Sequence, residues 1–182
     1  MQDNSIVKEE LKNIYSDVSE WLKYAEVKHA GILVFWTALV VAAFSVDKFY
    51  NLTDELQIYI LLAMVLGILI NIFALVPFTN RIKWLKKMCY NRYKEYAGNL
   101  VFYQSIFVSV SLPNLTLDEE ADRYKEILKE EFGYVPQGKI ITDYIKQIIE
   151  VATVATIKTF LFSISAWYLC LFIIIAFLYI LF

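Results

Sequence analysis

Few side chains in this 182-residue chain are of a type and spacing that could do chemistry. There is one histidine, His29, too few for a histidine-based metal site. The two cysteines, Cys89 and Cys170, lie far apart and offer neither a disulfide framework nor a zinc spacing. No glycine-rich phosphate loop and no Ser/His/Asp set is present. Asp118, Glu119, Glu120 and Asp122 have the look of paired acid–base carboxylates. They also stand at the start of a helical pattern, where the helix dipole favours acids in the first turn. This inventory predicts no enzyme, no catalytic residue, no metal and no resident cofactor.

What remains is chemistry of binding. Arg81, Lys83, Lys86, Lys87, Arg92 and Lys94 form a basic run without an acid before Glu95, interleaved with Tyr90, Tyr93 and Tyr96. The run suits anionic lipid headgroups. It also suits a cradle for an anionic ligand, since aromatic faces beside cations fit a nucleobase and its phosphate. Asn71, within a long apolar block, is placed either to hydrogen-bond between helices or to line a pore.

The elements that must position these groups are set by hydrophobicity. The chain is 59% hydrophobic and 20% charged, and the charges fall almost wholly between three apolar blocks. Soluble domains carry about 45–50% apolar residues, and segregation of this kind marks an integral membrane protein. The blocks are residues 30–46, 58–78 and 159–182, none interrupted by a charge. The first spans roughly 25 Å as a helix, and Tyr24, Tyr50 and a snorkelling Lys28 can make up the remaining hydrocarbon thickness. No cleavage site follows it, so an uncleaved anchor is expected. Uncharged spans argue against a proton relay or an ion-coupled carrier.

Positive charge orients the spans. The basic run follows the second block, and Lys8, Lys12, Lys23 and Lys28 precede the first. The intervening loop holds only Lys48, beside Asp47, Asp54 and Glu55. Residues 1–29 and 79–158 are therefore expected in the cytoplasm, with the 47–57 loop and the C-terminus outside. Of the sequons at Asn51 and Asn114, only the first would be on the glycosylating side. The predicted fold is an all-α integral membrane protein with three transmembrane helices (30–46, 58–78, 159–182), a small helical cytosolic domain, N-terminus in and C-terminus out.

Val7, Leu11, Ile14, Val18, Trp21 and Ala25 recur at heptad spacing in a helix expected to run unbroken into the first span. Ile141, Ile145, Ile148, Ala152 and Ala155 repeat that spacing before the third. Isolated amphipathic helices are marginal in water, so the seams should pack on each other or on neighbouring protomers. Residues 79–97 are expected to extend the second span as a basic, aromatic helix. Residues 99–112 (NLVFYQSIFVSVSL) mix strand and helix signals, with a helix ending near Ser109 favoured. Thr116 should cap a helix carrying Leu117, Ala121, Tyr124, Leu128 and Phe132. Gly133, Pro136 and Gly138 mark the next loop.

Three stretches together resemble a family. Residues 21–33 (WLKYAEVKHAGIL), 99–103 (NLVFY) and 147–160 (QIIEVATVATIKTF) are similar to the first-span entry, the Asn-Leu-aromatic stretch and the C-terminal helix of the transmembrane effectors of Pycsar antiphage systems. Glu26 stands where the family has an aspartate, and His29 separates Lys28 from Ala30. The resemblance implies a bacterial defence effector of the inner membrane. Its ligand would be a cyclic pyrimidine mononucleotide, cUMP or cCMP, made by a neighbouring cyclase. It would oligomerise through the heptad seams and impair the membrane, causing abortive infection. Glu26, Lys28, Asn99, Tyr103 and Lys158 are the ligand-binding residues so indicated. The lipid bilayer and further copies are the other expected partners, and nucleic acid is not one. The seams and the lack of chemistry equally fit a non-enzymatic membrane anchor for a cytosolic partner. A constitutive channel fits less well, because the spans lack charged or broken pore elements.

Overall fold

A computed structural model of the chain describes residues 2–45, 49, 52–76, 82–96, 103–112, 114–133 and 138–181. Among the described residues six α-helices follow in order: α1 (Gln2–Phe44), α2 (Asp54–Leu75), α3 (Lys83–Tyr93), α4 (Tyr103–Val110), α5 (Leu117–Phe132) and α6 (Lys139–Leu181), with a 3-10 turn at Lys94–Tyr96. No strand occurs among the described residues. Three of the helices, α1, α2 and α6, are long and apolar enough to cross a membrane. The chain forms two compact units, Met1–Tyr24 with Pro77–Lys158, and Ala25–Val76 with Thr159–Phe182.

In the first unit the two heptad seams close on a common core. Val7, Leu11, Ile14 and Val18 of α1 are buried together with Ile141, Ile145, Ile148, Ala152 and Ala155 of α6. Tyr103, Ile106 and Val110 of α4 and Ala121, Tyr124 and Leu128 of α5 complete it. The seams thus find their cover within one chain. Trp21 departs from the expected stripe: it is 42% exposed and lies against Tyr24 and Tyr103, with ring centroids 6.0 and 5.5 Å away.

The ambiguous stretch is helical through Val110. Its strand-like alternation misleads because Tyr103 to Val108 and Val110 are all buried, Gln104 and Ser105 included, so burial does not follow one stripe of the helix. The start of α5 is a capping box. The Thr116 N–H donates to Glu119 Oε2 at 2.7 Å, and the Glu119 N–H donates to Thr116 Oγ1 at 3.4 Å. At its end Gly133 turns left-handed (φ 77°), and its N–H closes on the Lys129 carbonyl at 2.8 Å.

The structure corrects one expectation. The basic helix does not extend the second span: α2 stops at Leu75, and Val76 is extended (φ −64°, ψ 130°). Pro77 follows in the sequence, and a proline ring disfavours helical backbone at the residue before it. The next described helix begins at Lys83, after an extended Ile82 (φ −86°, ψ 97°).

In the second unit large apolar side chains point outward, among them Val34, Val41, Leu62, Leu69, Ile174 and Phe177. Helices exposing such residues, with every interior backbone group bonded within the helix, match a hydrocarbon surround.

Truncation tests the core of the first unit. Leu128 is fully buried, so Leu128→Ala should cost about 3 kcal/mol. A clear drop in the melting temperature of detergent-solubilised protein is the expected reading. An unchanged melting temperature would mean that α5 does not seal the seams.

Candidate functional site

Within the first unit a groove of about 430 Å³ runs between α1 and α6. Lys12 and Tyr15 line one side, and Ile140, Asp143, Tyr144 and Gln147 the other. These residues flank the two seams: Lys12 and Tyr15 follow Leu11 and Ile14, while Ile140 and Tyr144 precede Ile141 and Ile145. The rings of Tyr15 and Tyr144 meet edge-on with centroids 6.5 Å apart. The volume lies within the roughly 300–1,000 Å³ range of small-molecule sites. The lining offers aromatic faces for a base, an ammonium for an anion, and an amide and a carboxylate for base or sugar hydrogen bonds.

A second polar cluster lies between α3, α5 and α6. Lys86 of α3 makes an ion pair with Glu120 of α5, which is only 3% exposed. Burial raises the Glu120 carboxyl above its usual range, against the opposing effects of Lys86 and the Ser111 hydroxyl. Ser111 Oγ lies 3.0 Å from Thr153 Oγ1. Lys86, Glu120, Glu150 and Thr153 border a cavity of only about 130 Å³, too small for a nucleotide. So Glu120 is an ion-pair partner inside the fold, whereas Asp118 pairs with Lys146 and Glu119 caps α5. Asp122 pairs with Lys125 one turn on along α5, so each of the four acids has a structural partner. Cys89, buried on α3, has its thiol pushed up to about 12 and is unreactive near neutral pH. Both cysteines are free.

The second unit holds a buried hub. Asn71 of α2 accepts from His29 Nδ1 of α1 at 3.0 Å. It donates to the Gly67 carbonyl at 2.8 Å and to Ser165 Oγ of α6 at 2.7 Å. One amide thereby ties all three apolar helices, which is the interhelical role expected of Asn71. His29, one residue before the first expected span, is fully buried and meets Phe162 edge-on at 5.8 Å. Nearby, Trp36 is fully buried between Gly67, Tyr168 and Phe172. Its indole N–H has no hydrogen-bond partner among the described residues. A Cβ at Gly67 would stand 2.4 Å from the indole ring, so glycine is what admits it.

The five residues indicated by the resemblance divide between the units. Tyr103 and Lys158, both buried, belong to the first. Glu26 and Lys28, both half-buried, belong to the second, where Lys28 Nζ sits 5.1 Å from the centre of the Phe162 ring. Asn99 lies outside the described residues. None of the four described ones lines the α1–α6 groove. The signal that could have revealed the groove is a tyrosine beside the seam on each of two helices whose seams face one another.

The family model of the Pycsar effector protein domain matches residues 10–182. No curated protein and no solved structure is found to match the chain.

Two sets of variants test these contacts. Lys86→Met strips Glu120 of its counter-charge and should cost about 3 kcal/mol near neutral pH. The folded carboxyl titrates above its unfolded value, so stability is fullest below the unfolded value and falls as pH rises through the folded one. The gap between variant and wild type should therefore shrink as pH falls towards the ordinary carboxylate range, and a gap that widens there would refute the assignment. Gly67→Ala should destabilise the second unit by about 1–3 kcal/mol through the clash with Trp36. Trp36→Leu in the same chain should remove most of the added cost, and strictly additive losses would show that the two do not interact.

Proposed function

The chain belongs to the Pycsar effector protein domain family, and from that membership we propose that it is a non-enzymatic membrane switch driven by a cyclic pyrimidine mononucleotide, cUMP or cCMP, supplied by a partner cyclase. Membership makes it a transmembrane effector of antiphage defence. The observation that carries the proposal is the family match over residues 10–182, which takes in all three apolar helices and nearly all of the helical first unit.

In this reading the first unit faces the cytoplasm and the spans lie in the inner membrane, with the N-terminus in and the C-terminus out. The nucleotide enters the α1–α6 groove. Its base stacks on Tyr144 or Tyr15, its phosphate meets Lys12, and Gln147 and Asp143 read the base edge or ribose. Both helices that line the groove also contribute to the second unit, so a ligand that changes their pairing has a covalent route to the spans. Copies then associate, the bilayer is breached, and the infected cell stops growing before phage mature. Such an effector must be almost wholly silent at rest. Moving it from 1:99 to 99:1 takes roughly 5.5 kcal/mol of preference for the active state. Binding across protomer interfaces in an oligomer would let small per-site preferences add.

The test is dye release and particle size for protein in liposomes titrated with cUMP and cCMP. One of the two should raise leakage and oligomer size, and no response to any cyclic nucleotide would overturn the proposal. Tyr144→Ala should weaken the apparent affinity about tenfold, the loss of one stacking contact. If Lys12→Ala and Tyr144→Ala respond as wild type while Lys158→Met or Glu26→Gln does not, the ligand sits instead at the residues indicated by the family resemblance.

A further inference from the structure

Helix α3 buries Leu85 and Cys89 and leaves its other side open. That side is unusual for a surface facing water. Trp84 is 60% exposed and Met88, one turn on, is 46% exposed. Exposed Lys83, Lys87 and Arg92 surround them, and α3 contains no acid. Lys86, the other lysine of α3, is committed to Glu120, so the exposed cations are not needed for an ion pair that holds the helix in place.

We propose that this face of α3 is a docking surface for an anionic bilayer, with Trp84 and Met88 seated among the headgroups and Lys83, Lys87 and Arg92 against phosphate. Three features point to this occupant. Tryptophan has an apolar body and one polar N–H, which suits the headgroup level, and it is enriched there. Lysines and arginines close to a membrane helix are attracted to anionic lipid. Only residues 76–82 separate the end of α2, an apolar helix long enough to span, from the start of α3. A chain that short reaches at most about 28 Å. A second copy of the same face is a poor occupant, since it would set three cations against three. The inference rests on the spans alone and survives if the nucleotide proposal fails.

Trp84 itself reports the outcome. Full-length protein and Trp84→Phe are placed in vesicles of phosphatidylcholine alone or with phosphatidylglycerol, and the difference between their emissions isolates Trp84. With phosphatidylglycerol present, brominated acyl chains should quench that difference and uncharged aqueous acrylamide should not. Lys83→Gln with Lys87→Gln should raise acrylamide access about tenfold, as should omitting the anionic lipid. Acrylamide quenching that is equal in both vesicle types would overturn the proposal. So would equal protection by inorganic phosphate in a neutral detergent, which would mark a site for small anions. Trp84 is surface-exposed, so its replacement leaves the fold intact and the readout interpretable.

Discussion

Two apolar seams that no single helix can cover govern the first unit. The heptad stripes of α1 and α6 would each expose a line of aliphatic side chains to water, and a lone amphipathic helix gains too little to offset its ordering. Val7 to Val18 and Ile141 to Ala155 therefore share a core, and the short helices α4 and α5 close it. That requirement explains why α4 is buried on nearly every side and why α5 carries both a strong N-terminal cap and a glycine stop. The ends of α5 must be placed accurately for Ala121, Tyr124 and Leu128 to reach the seams. Burial of the Tyr124 hydroxyl among these residues raises its pKa, the sign of a phenol held in an apolar surround.

The second unit answers a different solvent. Among lipid tails, apolar contact between helices gains little over apolar contact with lipid, so close packing and hydrogen bonds must do the associating. The Asn71 hub supplies the bonds, with partners on α1 and α6. Gly67, one turn earlier on α2, supplies the close approach to Trp36. Tyr168 adds a bond to the Ala63 carbonyl at 2.9 Å. The unpartnered Trp36 N–H runs against this economy, because a buried donor left unpaired costs about 1–3 kcal/mol.

Charge is partitioned by task. The acids of the α5 first turn are absorbed by structure: Asp118 lies below the usual carboxylate range beside Lys146, Glu119 is lowered by its bonds to Thr116, and Glu120 answers Lys86. The exposed cations of α3 have no such acids on their own helix. The groove between α1 and α6 mixes one lysine, one acid and two tyrosines with an isoleucine and a glutamine.

Much of this was legible in order along the chain. Three charge-free blocks announced three apolar helices, heptad spacing announced the core faces of α1 and α6, and Thr116 with Glu119 announced the start of α5. These features depend on local periodicity, which one-dimensional sequence carries in full. Pro77 also carried the break after Val76, a local backbone effect that the amphipathic pattern of the basic run obscured. Other features needed distances between residues remote in sequence. Nothing local says that Asn71 meets both His29 and Ser165, that Gly67 is small for the sake of Trp36, or that Lys86 is withdrawn from the basic run by Glu120. The groove is of the same kind, since Tyr15 and Tyr144 become neighbours only when the seams close. Periodicity states which side of a helix is covered; only tertiary packing decides what covers it.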